Sequence, residues 1–96
     1  MQSTADHNIA AFKTATRACI AGAEHRANLA LWNEETMEGT IEVTVAKRPG
    51  GSWAVTLNAP SFRSRLPWKA LEFAQRLQMA AEAAEWAQAF IDENGR

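Results

Sequence analysis

The feature that most constrains this chain is a pair of alternating apolar runs on either side of Pro49-Gly50-Gly51. Ile41, Val43 and Val45 alternate with Glu42 and Thr44; Trp53, Val55 and Leu57 alternate with Ala54 and Thr56. A period of two, carried by β-branched and aromatic residues, marks strands that bury one face. Pro-Gly-Gly between them is a turn signal, so the two runs form an antiparallel hairpin. The same pattern sets the loop length. A two-residue loop would pair Val45 with Ala54 and send the apolar rows to opposite faces. A three-residue loop pairs Val45 with Val55 and Val43 with Leu57, keeping one apolar face. A slip of one residue exchanges the faces, so the three-residue loop, with a glycine in the left-handed region, is expected.

Helical spacing flanks the hairpin. Ile9, Phe12, Thr16, Cys19, Ile20, Ala23, Ala27 and Ala30 recur at three- and four-residue steps, with Asp6 before them as an N-cap. Lys13, Arg17, Glu24 and Asn28 fall on the other side. The pattern predicts an N-terminal helix running past Gly22, where glycine costs about 1 kcal/mol relative to alanine and permits a bend. Leu29 and Trp32 lie off the stripe: either the helix has ended by then, or they face something else. Asn33–Gly39 is acidic and is expected to be a loop. Ser61–Leu66 alternates Phe62, Ser64 and Leu66 with Arg63 and Arg65, and predicts a third, edge strand after Pro60.

Pro67 suits the first turn of a final helix that runs to about Asn94, before Gly95. Its main apolar face is Ala70, Phe73, Leu77, Ala80, Ala84, Ala87 and Ile91, opposite a polar stripe through Gln75, Gln78, Glu82, Glu85, Asp92 and Glu93. Met79, Ala83, Trp86 and Phe90 add a third row, wider than one contact needs.

The order is helix, hairpin or three-stranded antiparallel sheet, long helix: an α+β fold. The 96 residues suit one domain, spanning 1–96, with one modest core. Apolar residues at 47% and charged residues at 22% describe a globular chain. Cys19 is the single cysteine, which excludes an internal disulfide and points to no oxidising compartment. No apolar run approaches a membrane span, and the N-terminus lacks the uninterrupted apolar block of a secretory signal, so a cytoplasmic location is expected.

Neither catalysis nor a metal or other cofactor is indicated. Cys19 and His25 are six residues apart, on different faces of the expected helix, and with His7 they do not form the convergent set that zinc or a nucleophile–base pair requires. Glu34, Glu35 and Glu38, or Glu82 and Glu85, stand in polar settings that would leave their carboxyls solvated. Two features do suggest binding. The first is a basic band: Lys47, Arg48, Arg63, Arg65, Lys69 and Arg76 are opposed between residues 47 and 76 only by Glu72, with Trp53 and Trp68 among them. Such a band suits phosphates and bases, or an acidic protein surface, although the net charge is only −1. The second is the row Met79, Ala83, Trp86 and Phe90, which is expected to meet another protein or a second copy of the chain.

Residues 43–77, VTVAKRPGGSWAVTLNAP…WKALEFAQRL, resemble the strand–turn–strand–helix unit of short bacterial proteins of unknown function with a Gly-Trp-Ala-Val hairpin. Here Ser52 stands between Gly51 and Trp53. That resemblance implies a fold and no functional residues. The helix–strands–helix order is similar in outline to double-stranded-RNA-binding domains, with Pro67-Trp68-Lys69-Ala70-Leu71-Glu72 where those carry Lys-Lys-x-x-Ala-Lys. In size and architecture the chain also resembles small phage anti-defence proteins, anti-CRISPR inhibitors among them. The function expected is a non-enzymatic interaction module, a phage or mobile-element inhibitor of a host complex such as CRISPR–Cas being its most concrete form. The alternative is a small nucleic-acid binder using the basic band.

Overall fold

Helix α1 spans Thr4–Ile20 in the computed structural model, which describes residues 4–33, 39–63 and 66–94. Asp6 thus lies inside the first turn rather than before it. The helix does not continue through Ala30, because Gly22 closes it. With φ +85, Gly22 directs its N–H to the Cys19 carbonyl at 3.0 Å, and the Ala23 N–H reaches the Ala18 carbonyl at 2.8 Å. That pair of bonds is the Schellman closure, and glycine is its natural left-handed residue. A Cβ at Gly22 would meet nothing within 4 Å. Gly22→Ala is therefore expected to destabilise the fold through backbone strain alone, by about 1–2 kcal/mol, measurable by urea unfolding.

Past this cap the chain becomes strand β1, Arg26–Leu31, where helix was expected. Ala27 and Ala30 fit the helical stripe, but Ala27, Leu29 and Leu31 fit a period of two, and these three are buried. Leu29 was off the stripe for that reason. Strand β2 is Ile41–Lys47 and β3 is Trp53–Asn58, and the sheet order is β1-β2-β3, all antiparallel. Val45 pairs with Val55 and Val43 with Leu57, the register of the apolar rows. Arg48 N–H donates to Ser52 O at 2.7 Å, and Gly51 N–H to Arg48 O at 3.0 Å, around a three-residue loop. Gly50 and Gly51 have φ +104 and +93. Pro49 followed by a left-handed glycine is the type II arrangement.

The third strand is thus β1, not Ser61–Leu66. Ser61, Phe62, Arg63 and Leu66 form no strand, while residues 64 and 65 lie outside the described chain. Phe62 stacks on Phe73 with ring centroids 4.7 Å apart, so its ring goes to a helix rather than to a sheet. That helix, α2, spans Pro67–Asn94.

Both helices cover one face of the sheet, α1 over β1 and α2 over β2 and β3. They run parallel. Ala5 lies beside Arg76 and Met79, Ile9 and Lys13 beside Met79 and Ala83, and Arg17 over Trp86. The core between the layers joins Phe12 and Cys19 to Leu29, Leu31, Ile41, Val43 and Val45, and to Ala80, Ala83, Ala87 and Ile91. Thr16, the one buried polar residue among those described, donates its hydroxyl to the Phe12 carbonyl at 2.8 Å. The opposite face carries Arg26, Asn28, Glu42, Thr56 and Asn58, all exposed. A helix of 28 residues is about 42 Å long, close to the 45 Å length of the molecule, while six-residue strands reach about 20 Å. The start of α2 therefore projects beyond the sheet.

Candidate interaction surfaces

Of the six basic residues singled out in the sequence, the five that the structure describes do not form one surface. Lys47 and Arg48 stand at the hairpin tip, where Lys47 pairs with Trp53. Arg76 packs beside Gly39 and Phe73, at the end where β2 begins, and Lys69 lies two turns further along α2. The two groups are separated by the length of a strand, about 20 Å. Arg63 follows β3 at the second end, and Arg65 lies outside the described residues. Neighbours in sequence are parted here because the hairpin reverses and β3 carries the chain away.

Several of these cations lie on rings. Lys47 Nζ is 5.3 Å from the Trp53 centroid, Lys69 Nζ 5.6 Å from Trp68, and the Arg76 guanidinium 5.8 Å from Phe73. Two more, Lys13 and Arg17 of α1, sit 5.3 and 5.1 Å from Trp86. Such contacts cover aromatic faces while the charged heads keep their water. Arg76 is drawn inward far enough that its Nε is buried without a hydrogen-bond partner among the described residues.

The row Met79, Ala83, Trp86 and Phe90 lies on the flank of α2 that faces α1. Ala83 is buried, and Trp86 is half-buried against the core beneath Lys13 and Arg17, with Phe90 stacked on it at 5.3 Å. The wide apolar arc of α2 thus has two covers inside the chain, the sheet below and α1 beside it.

At the hairpin end a cleft of about 510 Å³ is lined by Cys19, Glu24, His25, Arg26, Lys47 and Trp53 among others. Its charges are mixed and lie on the rim. Burial, and then the Glu24 carboxylate, push the Cys19 thiol above its ordinary value of 9.0. The thiol is therefore expected to resist iodoacetamide at pH 8 in the folded protein and to react once urea unfolds it. The sign for stability follows from the same shift. A raised folded value favours the protonated form, so its contribution is complete below the unfolded pKa and is lost as pH rises through the folded one, from about 9 upward.

Among the described residues the exposed large apolar side chains are Leu57, Leu66, Trp68 and Leu71, at 42%, 42%, 51% and 67%. Trp68 and Leu71 belong to the projecting start of α2 and Leu66 immediately precedes it, and sequence periodicity gave no sign of this. Trp68 is in line with Trp86 on the helix but lies beyond Ala5, where no described residue of α1 runs beside it. Among the described residues no group of three His, Cys, Asp or Glu side chains is placed to hold a metal ion, and no helix is long and apolar enough to cross a membrane. The chain matches no family model, no curated protein and no solved structure.

Proposed function

We propose that this domain acts by binding another protein, without chemistry, through the projecting start of α2. The observation that carries this reading is the exposure of Trp68 and Leu71, three residues apart on one side of the first turns of α2, with exposed Leu66 just before the helix. A large exposed indole beside Leu71, with Lys69 over its ring, has the make-up of an interface anchor with a polar rim. An inhibitor that holds a host complex through this end, the form implied by the likeness to phage anti-defence proteins, needs no further machinery. The test is capture from bacterial lysate with nuclease present, comparing wild type with the Trp68→Glu, Leu71→Glu double variant. Both positions are exposed, so the variant should keep its melting temperature while losing the captured protein. Loss of an anchor tryptophan weakens binding by at least about 2 kcal/mol, roughly 30-fold. Equal capture by both proteins would refute the reading.

A second reading, nucleic-acid binding, draws on the same end of the molecule. Lys69 on Trp68 and exposed Arg63 stand near the positive end of the α2 dipole, which favours phosphate. Lys69→Ala with Arg63→Ala should then weaken a gel shift on DNA or RNA for all sequences alike. No shift by the wild type at low salt ends this reading.

A further inference from the structure

The two edges of the sheet are treated differently. Counted from the Arg48–Ser52 bond, the antiparallel alternation turns the backbone groups of Arg26, Asn28 and Ala30 outward on β1, and those of Trp53, Val55 and Leu57 outward on β3. On β1 the edge is guarded: Asn8 of α1 donates from Nδ2 to the Ala30 carbonyl at 3.3 Å, and Arg26 carries a charge. On β3 the segment Trp53–Asn58 contains no charge and no proline, the devices that keep natural edges from pairing. Val55 and Trp53 are half-buried and Leu57 is 42% exposed, so the inner face of this strand is only partly roofed by α2.

On the flank of α2 away from α1 stand Ala70, Ala74, Leu77 and Ala81, at alternating steps of four and three, a row that begins where the helix runs past the sheet. Ala70 and Ala74 are exposed, and Leu77 and Ala81 are half-buried. We propose that two copies of this chain join antiparallel through β3, making one six-stranded sheet and packing their α2 helices side by side along this flank.

Spacing favours a second copy as the occupant. Neighbouring strands are about 4.8 Å apart, and α2 lies over β2 and β3. Joining the two β3 strands about a twofold axis then sets the two α2 axes roughly 10 Å apart, near the upper end of the range for packed helices. Small side chains at Ala70, Ala74 and Ala81 suit such an approach. Charge points the same way. Helix α2 has no acid in its first turn and no base in its last, where Asp92 and Glu93 stand instead, against its own macrodipole. In an antiparallel pair Asp92, eighteen residues from Ala74 and in line with it on α2, lies beside the partner's positive helix start. A patch that complements itself after a half-turn is what a twofold dimer requires.

Sedimentation equilibrium of the full chain, with Ala74→Glu as the variant, tests this. The wild type should sediment at twice 10.6 kDa. Ala74→Glu adds a carboxylate at an exposed helix position, so it should keep the helical circular dichroism while weakening association at least tenfold. Amide exchange gives a second, strand-specific reading: protection of Val55 and Leu57 should rise with protein concentration while that of Leu29 stays constant. A wild type still monomeric at 100 μM, or a dimer indifferent to Ala74→Glu with Val55 exchange independent of concentration, would overturn the proposal. Leu71 is three residues from Ala74 and neighbours it on α2, so Trp68→Glu alone, about 120° around the helix from Ala74, separates the two readings: it should lose the captured protein and keep the dimer.

Discussion

Phe12→Ala is expected to cost about 3–5 kcal/mol of folding free energy, the range for truncating a buried aromatic ring. Phe12 is 1% exposed and is the largest wholly buried side chain. It lies midway along α1, between Asn8, which reaches β1, and Thr16, whose hydroxyl bonds back to the Phe12 carbonyl. The core it belongs to includes Leu29 and Val43, paired with each other in the sheet, with Val43 on the central strand held on both sides, and these cannot close in to fill the space. A domain of this size has only about 5–15 kcal/mol in hand, so the variant should be largely unfolded at 37 °C or melt tens of degrees early. Circular dichroism melts would show it. Phe62→Ala is the control: Phe62 stacks on Phe73 outside the main core and should cost far less.

The hairpin and the second helix were legible because each carries a pattern only one structure satisfies. Alternation on both sides of Pro49-Gly50-Gly51 leaves one register with a single apolar face, and Val45 does pair with Val55. Pro67 and Asn94 bound a helix whose apolar spacing has no break. The segment Glu24–Leu31 was misread because alanine fits either period: Ala27 and Ala30 extend a helical stripe as readily as Ala27, Leu29 and Leu31 make a strand. The deciding sign was Gly22, a closing residue rather than a tolerated interior one. Surfaces were less legible than elements. The basic band was a fact about sequence order, and the reversal at the hairpin divides it. The neighbour of Trp86 depended on α1 running parallel to α2, a relation between two distant helices that neither helix announces.

Trp86→Ala separates the two meanings of that last helix face, and the structure gives it a definite expected result. The indole is half-buried against the core, holds Phe90 on one side, and receives Lys13 and Arg17 from α1. Removing it deletes the ring over which Lys13 and Arg17 of α1 lie. A fully buried ring would cost about 3–5 kcal/mol, and the half-exposed Trp86 should cost about 2–3. The cation contacts are a minor part of that, about 0.5–1 kcal/mol each at a solvated site. A loss of this size lowers the melting temperature of a domain near 100 residues by roughly 10–20 °C. Sedimentation mass should stay that of the wild type, since the β3 edge and the Ala74 flank are on the far side of α2. Lys13→Met with Arg17→Met tests the cause: if the cations serve as cover for the ring, apolar replacements of similar length should keep most of the stability. Unchanged melting with a lost dimer in Trp86→Ala would instead place the intermolecular contact on the α1 side of the helix, and the β3 dimer would have to be abandoned.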